Sequence, residues 1–255
     1  MIVKAIKTHI ITEEDKDLFK ILDQYITSLE EESIIVVTSK IVSICEGSIL
    51  KIEKGKNDEF SAKEKLIQEN SQLYLPRASS KYNISFTVTN NILSASAGID
   101  ESNGNGFYIL WPKDAQESTN NIREYLTKKY NIKKLGVVIT DSKTTPLRWG
   151  VTGIALAHSG FKALNDYIGK PDLFGRPFVY EKLNIADSIA SAAVLEMGEG
   201  SEQTPLAEIK EIKNIEFQER NPSEDELQGS KISLDDDLFA PFLKNVDWQK
   251  GGRDL

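Results

Sequence analysis

Three acidic residues of this 255-residue chain, Asp100, Asp141 and Glu199, stand in turns rich in glycine or hydroxyl groups. Asp141 follows, after Thr140, the run Gly136-Val137-Val138-Ile139, an apolar β-branched run that reads as a buried strand. Ser142, Lys143, Thr144, Thr145 and Arg148 come next. A buried strand that ends in a carboxylate, hydroxyls and cations fixes those groups at a sheet edge, where ligands commonly bind in α/β folds. The alternative for Asp141 is a helix cap in a polar loop, and the residues alone leave both open. Asp100 lies in Ala97-Gly98-Ile99-Asp100-Glu101-Ser102-Asn103-Gly104-Asn105-Gly106, where small residues let the backbone approach a ligand closely. Either Asp100 and Asn103 point at one ion or nucleotide, or the stretch is a solvated turn. Glu199 lies between two glycines in Met197-Gly198-Glu199-Gly200-Ser201-Glu202-Gln203-Thr204-Pro205. That pattern fits a C-cap with a tight loop. It fits equally a backbone wrapped around phosphates, with Glu199 free to bind metal.

Carboxylates and hydroxyls suit hard divalent cations, Mg or Mn, usually together with nucleotide phosphates. Thr38-Ser39-Lys40 follows the apolar run Ile34-Ile35-Val36-Val37 and sets hydroxyls and a cation at another strand end. Lys40, Lys143 and Arg148 are available to stabilise charge on a transferred phosphoryl group. No GxxxxGK[ST] loop is present, nor a GxGxxG after a strand. The spacing therefore reaches as far as a metal- and nucleotide-dependent enzyme. His158 reads as a packed core histidine and Cys45 as a small buried hydrophobe.

The elements that must position these groups follow from periodicity. Val3 to Ile6 is strand-like. Thr12 with Asp15 resembles a capping box ahead of a helix that buries Leu18, Phe19, Leu22, Tyr25, Ile26 and Leu29. Lys54 to Glu59 reads as a loop. Ser61 with Glu64 opens a helix expected to end near Leu75-Pro76. Ile84 to Val88 and Ile92 to Ala95 form a hairpin around Asn90-Asn91. Asp114 with Glu117 caps a helix to about Tyr130. Asp172 to Pro177 is a turn, Val179 to Ile185 a weak strand, and Asp187 the start of a helix burying Ile189, Ala190, Ala193, Val194 and Met197. These elements divide the chain into a body, residues 1–214, and an acidic extension, residues 215–255. In the extension Asp235-Asp236-Asp237 is solvated, the apolar stretch Leu238 to Leu243 docks on the body or a partner, and Gln249 to Leu255 is disordered.

Composition bounds the function. A charged share of 27% beside 40% hydrophobic residues fits a globular core. A net charge of -8 argues against a nucleic-acid partner, which needs clustered cations. No apolar run has the length of a membrane helix. One cysteine excludes an internal disulfide and fits a cytoplasmic setting, and two histidines disfavour a histidine-rich metal site.

The segments VTSKIVSICEG (37–47), SAGIDESN (96–103), VVITDSKTTPLR (137–148), FGRP (174–177) and MGEGSEQTP (197–205) resemble, in order, the motifs of the γ-glutamyl ligase family. Its best-known members extend the deazaflavin coenzyme factor 420 with glutamate. ITDSKTTPLRWGVTGIAL and ESNGNGFYILWPKD are similar to its bacterial branch, described as folate γ-glutamate ligases. The resemblance implies a mixed α/β (α+β) fold of two subdomains, paired as an intertwined homodimer. It implies an amide-forming ligase that joins glutamate to a carboxylate of a folate through an acyl phosphate, with a deazaflavin acceptor as the alternative to the pterin. A nucleotide-binding module without catalysis is the further alternative. GTP or ATP would be co-substrate, with two Mg or Mn ions. By motif, Asp100 and Asp141 would hold the first ion, Ser142 and Glu199 the second. Ser39, Lys40, Asn103 and the loop Met197, Gly198, Glu199, Gly200, Ser201, Glu202, Gln203 and Thr204 would contact the nucleotide. His9, Ile10, Ile11 and Thr12 occupy the position of a further nucleotide segment. Asp141, Lys143 and Arg148 would serve the chemistry. Ile44 stands where the family usually has a lysine.

Overall fold

The computed structural model describes residues 1–53 and 59–253. Most of the expected loop Lys54 to Glu59 lies outside the described residues. The fold is mixed α/β, as the sequence implies. Its centre is a five-stranded sheet in the order β1-β12-β2-β8-β9. The strands are β1 (Ile2–Ile6), β2 (Ser33–Thr38), β8 (Leu135–Thr144), β9 (Val151–Ser159) and β12 (Leu206–Lys210). Ile34, Ile35, Val36 and Val37 of β2 are wholly buried because both faces of the sheet are covered. Ile35 and Val37 pack with helices α1 (Leu18–Tyr25), α2 (Ser39–Glu46) and α4 (Ala115–Tyr130) on one face, and Ile34 and Val36 pack with α5 (Ile185–Met197) on the other. Each such side chain contributes roughly 1.5–3 kcal/mol of burial.

Strand directions decide where the loops meet. β2 and β8 are parallel, with Thr38 opposite Thr140, so both run toward the same edge. β12 is antiparallel to β2 and enters at that edge, Leu206 opposite Val37. β1 leaves there, Ile6 opposite Leu206, and β9 begins there, Val151 opposite Thr144. The segments after Ile6, Thr38 and Ile139 and before Leu206 therefore converge on one rim.

A smaller region facing that rim carries β3 (Ile49–Lys51) paired with β7 (Phe107–Ile109). Beside them stand helix α3 (Glu59–Asn70) and a sheet ordered β13-β4-β5-β6. Its members are β4 (Leu73–Leu75), β5 (Phe86–Thr89), β6 (Ile92–Ala95) and β13 (Gln249–Lys250). The β5–β6 hairpin turns at Asn90 and Asn91, both at positive φ. β10 (Leu164–Asp166) pairs with β11 (Lys182–Asn184), and α6 (Glu224–Gly229) and α7 (Ala240–Leu243) complete the elements.

Several boundaries differ from the sequence reading. α1 is capped by Asp17, which accepts from the N–H groups of Phe19 and Lys20; Thr12 and Asp15 form a tight turn instead. α3 already begins at Glu59 and ends at Asn70, and Leu73–Leu75 is a strand. Ser39–Glu46, read only as a strand end, is a helix closed by Gly47 at φ 73. β8 does not stop before Asp141 but carries it, Ser142 and Lys143 inside the strand. α5 is capped by Asn184, three residues before Asp187. The extension folds back rather than trailing away. Phe217 bridges to Phe161, and β13 joins β4. Gly251 to Arg253 donate to backbone carbonyls of Gln72, Gln68 and Ser71, so residues 249–253 are placed; Asp254 and Leu255 lie outside the described residues. In the apolar stretch Ala240 is buried and Leu243 half-buried, while Leu238, Phe239 and Phe242 are exposed.

Candidate functional site

The rim of the central sheet brings the expected residues together. The Thr38 N–H donates to Pro205 O at 3.0 Å, and the Thr8 N–H to Gln203 O at 2.9 Å. These bonds seat the 197–205 loop between β2 and the segment after β1. The Asn103 amide donates to Gly200 O at 3.0 Å, joining the 100–106 turn to the same loop. Asn103, at φ 55, takes the left-handed conformation that asparagine tolerates.

Asp100 and Lys40 form the most ordered contact. The Lys40 ammonium lies 2.7 Å from Asp100 Oδ2 and 2.9 Å from Ser102 O. Asp100 also accepts from the Ser102 hydroxyl at 2.6 Å and from the N–H groups of Glu101 and Ser102. Burial works against its charge, yet the Lys40 and Ser102 contacts outweigh it and hold the carboxyl below its ordinary range. Asp141 is in the opposite condition. It receives the Trp111 indole N–H and the Ser142 N–H, but no cation among the described residues pairs with it. Desolvation dominates there, although the residue keeps a little exposure, and its pKa is pushed up to about 6. Lys40 lowers it and the Asp100 charge raises it, so the two carboxylates sense each other. The Ser142 hydroxyl donates to Glu199 Oε1 at 2.6 Å. Adjacent carboxylates and a hydroxyl are donors that suit hard cations, and the lysine beside them suits an anion such as phosphate.

The model of the family described as F420-0:Gamma-glutamyl ligase matches residues 5–211. The chain belongs to this family. The Methanocaldococcus jannaschii protein named Coenzyme F420:L-glutamate ligase is 35% identical over 207 residues, covering 77% of this chain and 82% of that one. A protein of the same name from Methanopyrus kandleri is 31% identical over 198 residues, covering 72% and 77%. The protein is thus an enzyme of the γ-glutamyl ligase type, an acid–amino-acid ligase that forms a C–N bond.

In this γ-glutamyl ligase the remaining residues fall as follows. Ser39 is buried at the first turn of α2. His9 stacks on Tyr25, with Nδ1 2.8 Å from the Tyr25 hydroxyl and Nε2 3.1 Å from Asp15. Ile10 is exposed, whereas Ile11 packs against the α1–α4 core. Ile11 and Thr12 border a narrow cleft with Asn103 and the buried Ile44. Ile44 faces the apolar residues Ile49, Phe107 and Ile109 there, which accounts for an isoleucine packing well at this position. In the 197–205 loop, Met197 is buried, the Thr204 hydroxyl donates to Met197 O, and Glu202 accepts from the Gly200 N–H at 2.8 Å. Glu199, Ser201 and Gln203 are exposed along it. Lys143 is drawn to Asp187 of α5, at 3.6 Å, and Arg148 lies exposed in the β8–β9 loop; neither touches Asp141.

Two participants escaped the sequence reading. Ser102, two residues after Asp100, donates to it as an Asp-x-Ser turn does, a local signal that was available. Trp111 reaches Asp141 from 30 residues away, a pairing no local pattern announces. His158 packs on Phe161 and burial drives its pKa down to about 4, in keeping with a core histidine. Cys45 is half-buried and its thiol is pushed up to about 12 by burial, so it holds no thiolate at neutral pH.

Proposed function

We propose that the enzyme joins the amine of glutamate to a carboxylate of a deazaflavin acceptor, at the expense of GTP or ATP and with two Mg or Mn ions. The observation that carries this reading is the pairing of Lys40 and Asp100 beside a buried Asp141 that has no cation of its own among the described residues. The names of the relatives favour the deazaflavin precursor over a folate.

The donor set suits the ions. Asp100 and Asp141 supply adjacent carboxylates; Ser142 and Glu199 supply a hydroxyl and a carboxylate 2.6 Å apart. Among the described residues no three His, Cys, Asp or Glu side chains form a cage by themselves. Such a site leaves room for water and phosphate oxygens, as Mg requires. When bound, the ions neutralise the triphosphate and polarise its γ-phosphoryl group. Lys40, held by Asp100 at the mouth of the site, is positioned to pass to a phosphate. Ser39, Asn103, the 197–205 loop and His9 to Thr12 cradle the nucleotide. An acceptor carboxylate oxygen attacks the γ-phosphorus, the bond to the β-phosphate oxygen breaks, and nucleoside diphosphate leaves. The deprotonated glutamate amine attacks the acyl carbon, a C–N bond forms and inorganic phosphate departs. The protein contributes positioning and electrostatics, with no covalent adduct of its own. Lys143 and Arg148 remain candidates to steady the phosphoryl charge from the β8–β9 hairpin.

The test incubates the protein with Mg or Mn, GTP or ATP, glutamate and either the deazaflavin precursor or a reduced folate, with mass spectrometry as readout. A deazaflavin heavier by one glutamyl unit is expected. Extension of the folate alone reassigns the acceptor. Nucleotide binding with neither acceptor extended overturns the ligase reading in favour of a binding module.

A further inference from the structure

A cavity of about 540 Å³ opens beside Trp111, the residue whose indole N–H donates to Asp141. Its size is that of a small-molecule site, and Leu110, Trp111 and Pro112 give it an apolar wall. Trp111 thus lines this cavity and also donates to Asp141, so a single residue links the cavity to the β8 rim. Gly98 is required for that placement, since a Cβ there would lie 2.0 Å from Trp111 Nε1. The Ser48 hydroxyl lines the cavity, is buried, and has no hydrogen-bond partner among the described residues. A buried orphan hydroxyl is unfavourable unless a ligand or water meets it. Lys113 and Arg253 stand at the cavity with no carboxylate partner among the described residues, whereas the acidic group at the rim, Glu69, already lies 3.7 Å from Lys65. Among the described lining residues two cations thus face one carboxylate, a local excess of positive charge in a protein that is acidic as a whole.

Arg253 comes from the C-terminal segment, beyond residue 211 where the match to the family model ends. That segment is built into the wall. β13 pairs with β4, and the Gly251, Gly252 and Arg253 N–H groups donate at 2.9, 2.9 and 3.1 Å to the backbone around α3. A side chain at Gly251 would put its Cβ 1.9 Å from Ser71 O, so the docking depends on glycine there.

We infer that this cavity is the acceptor site: a planar heteroaromatic acceptor lies along the Leu110–Pro112 wall, its anionic arm is held by Lys113 and Arg253, and the C-terminal segment completes the pocket. The inference rests on the ligase reading above. The anionic arm is a phosphate or a carboxylate, and the two acceptors separate these sources.

The experiment titrates the full-length protein with the deazaflavin precursor and, separately, a reduced folate, without nucleotide or glutamate, and then measures ligation kinetics. Lys113→Ala, Arg253→Ala and Arg253→Lys are compared with the unaltered protein, and thermal melts check that each is folded. Each lost cation should raise the acceptor Kd and KM about tenfold. kcat and the KM for glutamate and nucleotide should hold, and Arg253→Lys should recover most of the loss. Unchanged acceptor KM in folded, active Lys113→Ala and Arg253→Ala variants overturns the cavity assignment and leaves the ligase reading standing. Binding lost in the variants without extension by the unaltered protein supports the pocket and overturns the reaction. If neither acceptor binds or is extended, both fall together.

Discussion

The two ends of β8 bury charge in opposite ways. At the Leu135 end Arg123 of α4 is almost wholly enclosed, yet its guanidinium donates to Leu135 O, Lys133 O, Gln218 O and Asn221 Oδ1. It ties α4, the sheet and the C-terminal extension into one piece. Ser159 adds a hydroxyl to Asn221 at 2.9 Å, and the Gln116 amide donates to His158 O at 2.8 Å. At the Asp141 end the charge is left short of partners. Among the described residues Asp141 has two N–H donors and no direct cation, and the lysine best placed to help is engaged by its neighbour Asp100. A buried charge whose hydrogen bonds are satisfied locks structure. One left under-compensated at a rim where four connections meet is poised for a ligand.

The comparison is broken most severely at the structural end. Arg123→Ala takes the guanidinium away from three backbone carbonyls and leaves Asn221 Oδ1 with the Ser159 hydroxyl alone. A stability loss on the order of 3–5 kcal/mol is expected in urea unfolding, with kcat per folded molecule little changed. An equal fall in kcat at full stability would place Arg123 in the catalytic machinery instead.

Titration should separate the ends by sign. Burial keeps His158 neutral with its pKa at about 4, while the unfolded chain takes up that proton near the ordinary 6.5. Stability should fall by up to about 3 kcal/mol as pH drops through that window, and His158→Leu should flatten the loss. Asp141, raised to about 6 from 3.8, holds its proton more tightly when folded. Its contribution is present at low pH and is lost as pH rises through about 4 to 6. Urea midpoints against pH in chelator, with Asp141→Asn alongside, will show whether removing this group abolishes a loss of opposite direction.

The smallest effect concerns the loops. Asn103→Ala removes one neutral hydrogen bond to Gly200 O. A rise of about fivefold in the nucleotide KM is expected, with stability within about 1 kcal/mol. An unchanged KM would detach Asn103 from the nucleotide.

Much of this contrast was legible in the sequence and part was not. The β-branched runs Ile34 to Val37 and Gly136 to Ile139 announced the two parallel strands, because a strand covered on both faces needs no alternation. Their polar sequels, Ser39-Lys40 and Asp141-Ser142, announced the rim. Helix starts were misjudged where two capping residues compete: Asp17 against Thr12, Asn184 against Asp187. The continuation of β8 through Asp141 was hidden because its polar residues look like a loop, yet β9 pairs with them through Thr144. Trp111, the Arg123 clamp and the docking of Gly251 to Arg253 depend on contacts between distant segments, which no local period records. The contact of Lys143 with Asp187 of α5 was hidden for the same reason, since 44 positions separate the two in the sequence.

One substitution reads the central contrast directly. Asp141→Asn keeps the shape of the side chain and deletes the buried charge. Its glutamyl transfer should be followed by mass spectrometry at limiting Mg or Mn, beside a thermal melt of the same preparation. A fall in turnover of about 100-fold or more, with a Tm unchanged or higher, is expected of a carboxylate kept for function. Full turnover at limiting metal would contradict the assignment of the β8 rim as the site of ligation.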